Sequence, residues 1–164
     1  MPEATASSPM PGQPLNGSDV LFSEKLWPSV WIWLIVAGLS GAGILVFAPI
    51  SALAGIIAAL VLAGIMTVLL LLSTPAIVVR RDSLQVGRAS IPRALLGQAE
   101  AFRKDEATAE RGTRLNGLAF LCIRGWIDPV VRIPVNDPED RTPYWLTSTR
   151  RPDELLKALA APTA

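Results

Sequence analysis

The polar and apolar positions divide the chain into three stretches. Residues 1–21 mix Pro, Ser, Gly and Ala without an apolar period. That composition cannot build a core and predicts a disordered tail. Leu26 to Val79 is an unbroken run of 54 residues with no Asp, Glu, Lys or Arg. From residue 76 to 164, short apolar runs alternate with polar turns, which is the pattern of strands. The chain closes on an amphipathic helix.

The charge-free run sets the middle of the architecture. One bilayer crossing takes roughly 20 apolar residues, so the run fits two crossings and is too long for one. Pro49 marks the break, with helices predicted at about residues 27–47 and 51–73. Ala48-Pro49-Ile50 leaves room only for a tight turn, so residues 22–75 are read as a transmembrane helical hairpin. Inside lipid a helix satisfies its own backbone, which leaves two helices as the sensible arrangement. A secretory leader is excluded: its apolar core is about 7–15 residues, and no small-x-small site precedes a polar mature chain here.

Lys25 precedes the first helix, Arg80 and Arg81 follow the second, and the hairpin tip is uncharged. The positive-inside rule therefore predicts a multi-pass plasma-membrane protein with both termini cytoplasmic. Trp27, Trp31 and Trp33 cluster where an aromatic belt would lie. Small residues recur every four positions, as Gly55, Ala59 and Ala63 on the second helix and Ala37 and Gly41 on the first. Such stripes let helices approach closely, either within the hairpin or across a homodimer. No ionisable group lies within the spans, so nothing marks a proton or ion path.

The last 89 positions read as six or seven strands and one helix. "AIVV" and "LQVG" flank "RRDS", a hairpin signal with Asp82 and Ser83 in the turn. "ASI" and "LLGQAEAF" follow. "RKDEATAERGTRLNG" is an exposed loop, with a short helix as the alternative because Glu106 and Glu110 are four apart. Next come "LAFLCIR", "VVRIPV" and "YWLTS". Pro92 and Pro134 demand strand ends or edges. In "PDELLKALA", Pro152 suits a first helical turn and Leu155, Leu156 and Leu159 form one apolar face.

Charge narrows the function classes. Fourteen of the fifteen basic residues and eleven of the fourteen acids lie from Arg80 onward, about +3 in balance. That is too mild for a nucleic-acid partner. There is no histidine and one cysteine, Cys122. Intramolecular disulfides are impossible, a zinc site is disfavoured, and nucleophilic catalysis lacks its usual base. Cys122 sits in an apolar strand, the setting of an inert buried thiol. "NDPEDRTP" has acids but no bend glycine, so it reads as a solvated turn and not a calcium loop. No Gly-rich phosphate loop occurs. No cofactor, no metal and no enzymatic activity are expected.

The arginines raise a sharper question. Arg150 and Arg151 stand at the N-terminus of the last helix, where the macrodipole favours acids. An anion held there, a lipid phosphate or a partner's carboxylate, would explain them. Pairing with Asp153, Glu154 or the nearby acidic turn, or plain solvation, is the blander and favoured explanation. Arg80 and Arg81 are candidates for anionic headgroups near the membrane surface. Trp126, Tyr144 and Trp145 pose a core-or-interface choice, because only one face of "YWLTS" can be core in an alternating strand.

Strands closed by a C-terminal helix are similar to a pleckstrin-homology-like domain, a module that small bacterial membrane proteins place after two membrane helices. "SEKLWPSVWIW", "RGWIDPVVRIPV" and above all "DPEDRTPYWLTSTRRPDELLKAL" resemble an uncharacterised actinobacterial membrane-protein family, domain of unknown function 3093, over about residues 22–160. The resemblance implies the hairpin and the fold, and no activity. The resulting expectation is a membrane-tethered adaptor or accessory subunit whose partners are membrane lipids and another membrane protein. The alternative is a sensor of anionic headgroups working through Arg80, Arg81, Arg150 and Arg151.

Overall fold

The computed structural model describes residues 20–162. The disordered tail expected over residues 1–21 falls almost wholly outside them. Its end does not: Val20–Lys25 forms a strand, β1. Phe22 and Leu26 point into the core, and between them so does Glu24.

Two helices follow, α1 (Val30–Phe47) and α2 (Ala52–Leu72). Both are long and apolar enough to cross a membrane. At about 1.5 Å per residue they span about 27 and 31 Å. Helix α1 starts three residues later than its composition suggests, because Pro28 precedes an extended N-cap at Ser29. The break at Pro49 lies where expected, in a turn closed by Ser51 N–H donating to Phe47 O (3.0 Å). Their outer faces are bare, with Leu45 and Leu72 each 77% exposed, as is Ile50 in the turn between them.

The helices meet along one stripe. A Cβ on Gly55 would stand 3.0 Å from Ile44 O, so only glycine permits this approach. Ala59 packs beside Gly43. The stripe on α1 is Val36, Ser40 and Gly43, since Ala37 is exposed and Gly41 faces open space. The four-residue repeat is right for α2 and off by one face on α1.

After the hairpin, β2 (Ala76–Arg80), β3 (Ser83–Val86) and β4 (Ala89–Pro92) form a meander. With β1 they make a four-stranded antiparallel sheet of order β1-β2-β3-β4. Gly87 turns β3 into β4 at φ +62°, a conformation that suits glycine. A second sheet has the order β5-β7-β8-β6, from β5 (Glu100–Phe102), β6 (Phe120–Cys122), β7 (Val130–Pro134) and β8 (Tyr144–Ser148). Strand β6 runs parallel to β8. Pro92 and Pro134 each end a strand, where a missing N–H costs no ladder bond.

Eight strands among the described residues therefore replace the expected six or seven, the extra one lying on the far side of the hairpin. The charged stretch before β6 carries a helix, α3 (Lys104–Arg111). Its Glu110 is buried and pairs with Arg132 (3.3 Å) and Arg114 (3.5 Å). Helix α4 (Pro152–Ala160) closes the domain and buries Leu155 and Ala158. One main core joins both sheets and α4, with Ile77, Val79, Leu84, Ile127, Ile133 and Leu155 fully enclosed.

Candidate functional site

The base of the hairpin is where the domain's polar side chains converge. Strand β1 enters α1 and β2 leaves α2. Because β1 and β2 pair, with Lys25 opposite Ala76, both helix ends rise from one point. Leu26 N–H donates to Pro75 O (3.0 Å) and closes the seam. Two more bonds fix Trp27 O, from Arg150 Nη2 (2.7 Å) and Trp126 Nε1 (3.0 Å). At the other helix, Arg124 Nη2 donates to Ser73 O (2.7 Å) at the C-cap of α2. A charge-assisted donor on an otherwise unpaired terminal carbonyl is a strong cap.

Glu24 places an anion beside the paired arginines, held by a hydroxyl and a backbone N–H. Its buried carboxylate accepts from the Thr149 hydroxyl and from Arg150 N–H (2.9 Å). Arg151 donates to Ser23 O (2.6 Å), pairs with Glu154 (3.1 Å) and lies over the Phe22 ring (4.8 Å). The anion next to α4 is thus the chain's own Glu24, and the guanidinium groups hold β1 and the entry to α1.

Arg80 and Arg81 lie elsewhere. Strand β2 leads away from the helices, and four residues of strand cover about 13 Å. Arg80 donates to Gln85 Oε1 (3.3 Å), while Arg81 lies beyond it in the turn to β3. Strand β3 then returns, and Gly87 N–H donates to Ala76 O (2.8 Å). The arginine brought back to the foot of α2 is therefore Arg88. It is exposed and makes no hydrogen bond or ion pair among the described residues.

A cleft of about 430 Å³ opens there, between the end of α2, the β3–β4 turn and edge strand β6. Arg88 and Arg124 are its only charged residues among those described, and Leu72, Phe120 and Leu121 supply apolar wall. Cys122 also lines it. Burial raises the Cys122 thiol above its ordinary pKa, while Arg124 and the Thr147 hydroxyl lower it less. The thiol is therefore protonated at neutral pH and a poor nucleophile.

The aromatic candidates separate. Trp27 is 48% exposed, with Lys25 Nζ 4.3 Å from its ring centre, and Trp31 is 74% exposed. Trp33 and Trp126 are half-buried. Trp145 is buried and packs on Phe120 at 4.7 Å, so it belongs to the core. Tyr144 is half-buried, and its hydroxyl accepts from Asn116 N–H (2.8 Å). From Trp145 to Ser148 every residue of β8 is buried, because sheet neighbours, α4 and the α3 side cover both faces. Alternation could not assign its sides.

Arg93 was not legible at all. It is 6% exposed and donates to the carbonyls of Arg80, Arg81, Leu159 and Ala161, tying the end of α4 to the β2–β3 turn. No group of three His, Cys, Asp or Glu among the described residues could hold a metal ion.

The family described as "Protein of unknown function (DUF3093)" matches residues 21–159. The chain belongs to this family. The match starts inside β1 and ends inside α4, so it takes in the clasped hairpin and both sheets. No curated protein matches the chain. No solved structure matches it either.

Proposed function

We propose that the chain is a membrane-tethered, non-enzymatic interaction module. Its hairpin spans the plasma membrane twice and holds a pleckstrin-homology-like domain against the cytoplasmic face, where it serves as an adaptor or accessory subunit for another membrane protein. Two four-stranded sheets around one core, closed by α4, support the fold reading. The parallel β6–β8 pair is a departure from a plain meander.

The observation that carries the proposal is the pairing of β1 with β2 across the hairpin. A domain that includes strands from both sides of two spans must lie wholly on one side of the bilayer. Lys25, Arg80 and Arg81 favour the cytoplasmic side. The direct clasp on both helix ends suits a module that holds a fixed pose at the surface.

The test is topology in intact cells. Tags at both termini are expected to resist external protease, while a site placed at Pro49 is cut. Cleavage of either terminal tag from outside would overturn the reading. Sensing of anionic headgroups through Arg150 and Arg151 is not favoured, since the Glu24 and Glu154 carboxylates already occupy that end of α4.

A further inference from the structure

We propose that the cleft at the foot of α2 binds the headgroup of an anionic phospholipid, with Arg88 and Arg124 as the phosphate contacts. The inference rests on the tether reading above and adds a ligand to it.

Three observations converge. The first is charge. Arg88 and Arg124 line the cleft without an acid among its other lining residues, and neither forms an ion pair among the described residues. Arg88 holds nothing, although the return of β3 brings it to this point. Arg124 uses Nη1 on Ile123 O and Nη2 on Ser73 O. Each of those nitrogens carries a second hydrogen, so two Nη donors are left, alongside the buried and unpartnered Nε. The second is size, since about 430 Å³ lies within the roughly 300–1,000 Å³ of small-molecule sites.

The third is polarity across the cleft, which selects a lipid over a free anion. One wall is the last turn of α2, where Leu72 is 77% exposed, and another carries Leu121 at 45%. The apolar wall continues up α2 through Leu69, also exposed. A ligand with a phosphate at one end and acyl chains at the other fits that gradient. Inorganic phosphate uses only the arginines.

The experiment is native mass spectrometry of the full chain in detergent, titrated with dioleoyl phosphatidylglycerol. Dioleoyl phosphatidylcholine and glycerol 3-phosphate form the comparison arms. One phosphatidylglycerol is expected to bind, more tightly than phosphatidylcholine. Arg88→Gln should weaken it about fivefold and Arg88→Gln/Arg124→Gln about 25-fold, taking each arginine near a headgroup as one such step. Arg141→Gln/Lys157→Gln removes the same charge outside the cleft and should leave binding unchanged. If loss of the Arg124–Ser73 bond unfolds the double variant, Arg88→Gln alone carries the test, because its side chain holds no part of the fold.

Equal weakening by the control variant would overturn the site in favour of diffuse surface charge. Competition by glycerol 3-phosphate at equal concentration would overturn the lipid assignment in favour of a water-borne phosphate. Binding in detergent does not depend on orientation. Absence of binding therefore sinks this site alone, while a tag exposed outside the cell sinks the tether.

Discussion

Two pairs of arginines stand at the two ends of the same hairpin base, and they differ in the acids around them: both ends clasp a helix, but only one has a carboxylate beside it. Arg150 and Arg151 are exposed, yet their donors meet Trp27 O, Ser23 O and Glu154. Arg88 and Arg124 line an open cleft without a carboxylate. Exposure does not separate the pairs; the acceptors around them do. An arginine beside backbone carbonyls and a buried acid is part of the framework. Arg88, beside apolar wall and with no acceptor among the described residues, is available to a ligand, and Arg124 next to it serves the framework and faces the same cleft.

The comparison can be broken most severely at Glu24. Glu24→Ala removes the acceptor of two groups in a buried joint and should destabilise the full chain by about 3 kcal/mol, read as a lower thermal midpoint in detergent. Glu24→Gln keeps an acceptor there and should cost clearly less. Equal midpoints for Glu24→Ala and the parent chain would mean that the joint is not structural. A smaller effect distinguishes the pairs directly. Arg150→Met leaves Trp27 O with one donor fewer and should cost about 1 kcal/mol. Arg88→Gln should stay within about 0.5 kcal/mol. A larger loss at Arg88 than at Arg150 would reverse the assignment.

The mildest expected effect is alkaline and concerns Cys122. Its pKa is raised by burial above the ordinary 9.0, so the folded state keeps a proton that the unfolded state releases. The stability it contributes is complete below about pH 9 and is lost as pH rises through the folded value. Thermal midpoints measured from neutral to alkaline pH should fall less steeply in Cys122→Ala than in the parent. An identical slope in the two chains would contradict this.

Local periodicity made the hairpin legible, with both helix limits within a few residues. It also made the β2–β3 hairpin legible, with Asp82 in the turn as expected and Ser83 instead opening β3, together with the proline strand ends and the α4 face. It failed where a position is decided by distant chain. Strand β1 was hidden because Glu24 interrupts the apolar series Phe22, Leu26, and its partners Thr149 and Arg150 lie more than a hundred residues on. Arg80 and Arg81 are close to α2 in sequence, but strand direction carries them off and returns Arg88 instead. Trp145 sits in a strand covered on both faces, where alternation carries no signal. Residues 76–164, taken alone as a domain, would lack one edge strand of the first sheet.

The pairing of Lys25 with Ala76 also has a consequence in time. During synthesis β1 is made first and then waits while some fifty residues are added before its partner exists. Closing a flexible loop of that length costs about 3 kcal/mol in chain entropy. A hairpin that has already folded removes most of that cost, because it delivers Ala76 to Lys25. Closure of the β-domain is therefore favoured on a chain whose helices are in place. The first sheet is thus coupled, through a shared entropy term, to assembly of the hairpin.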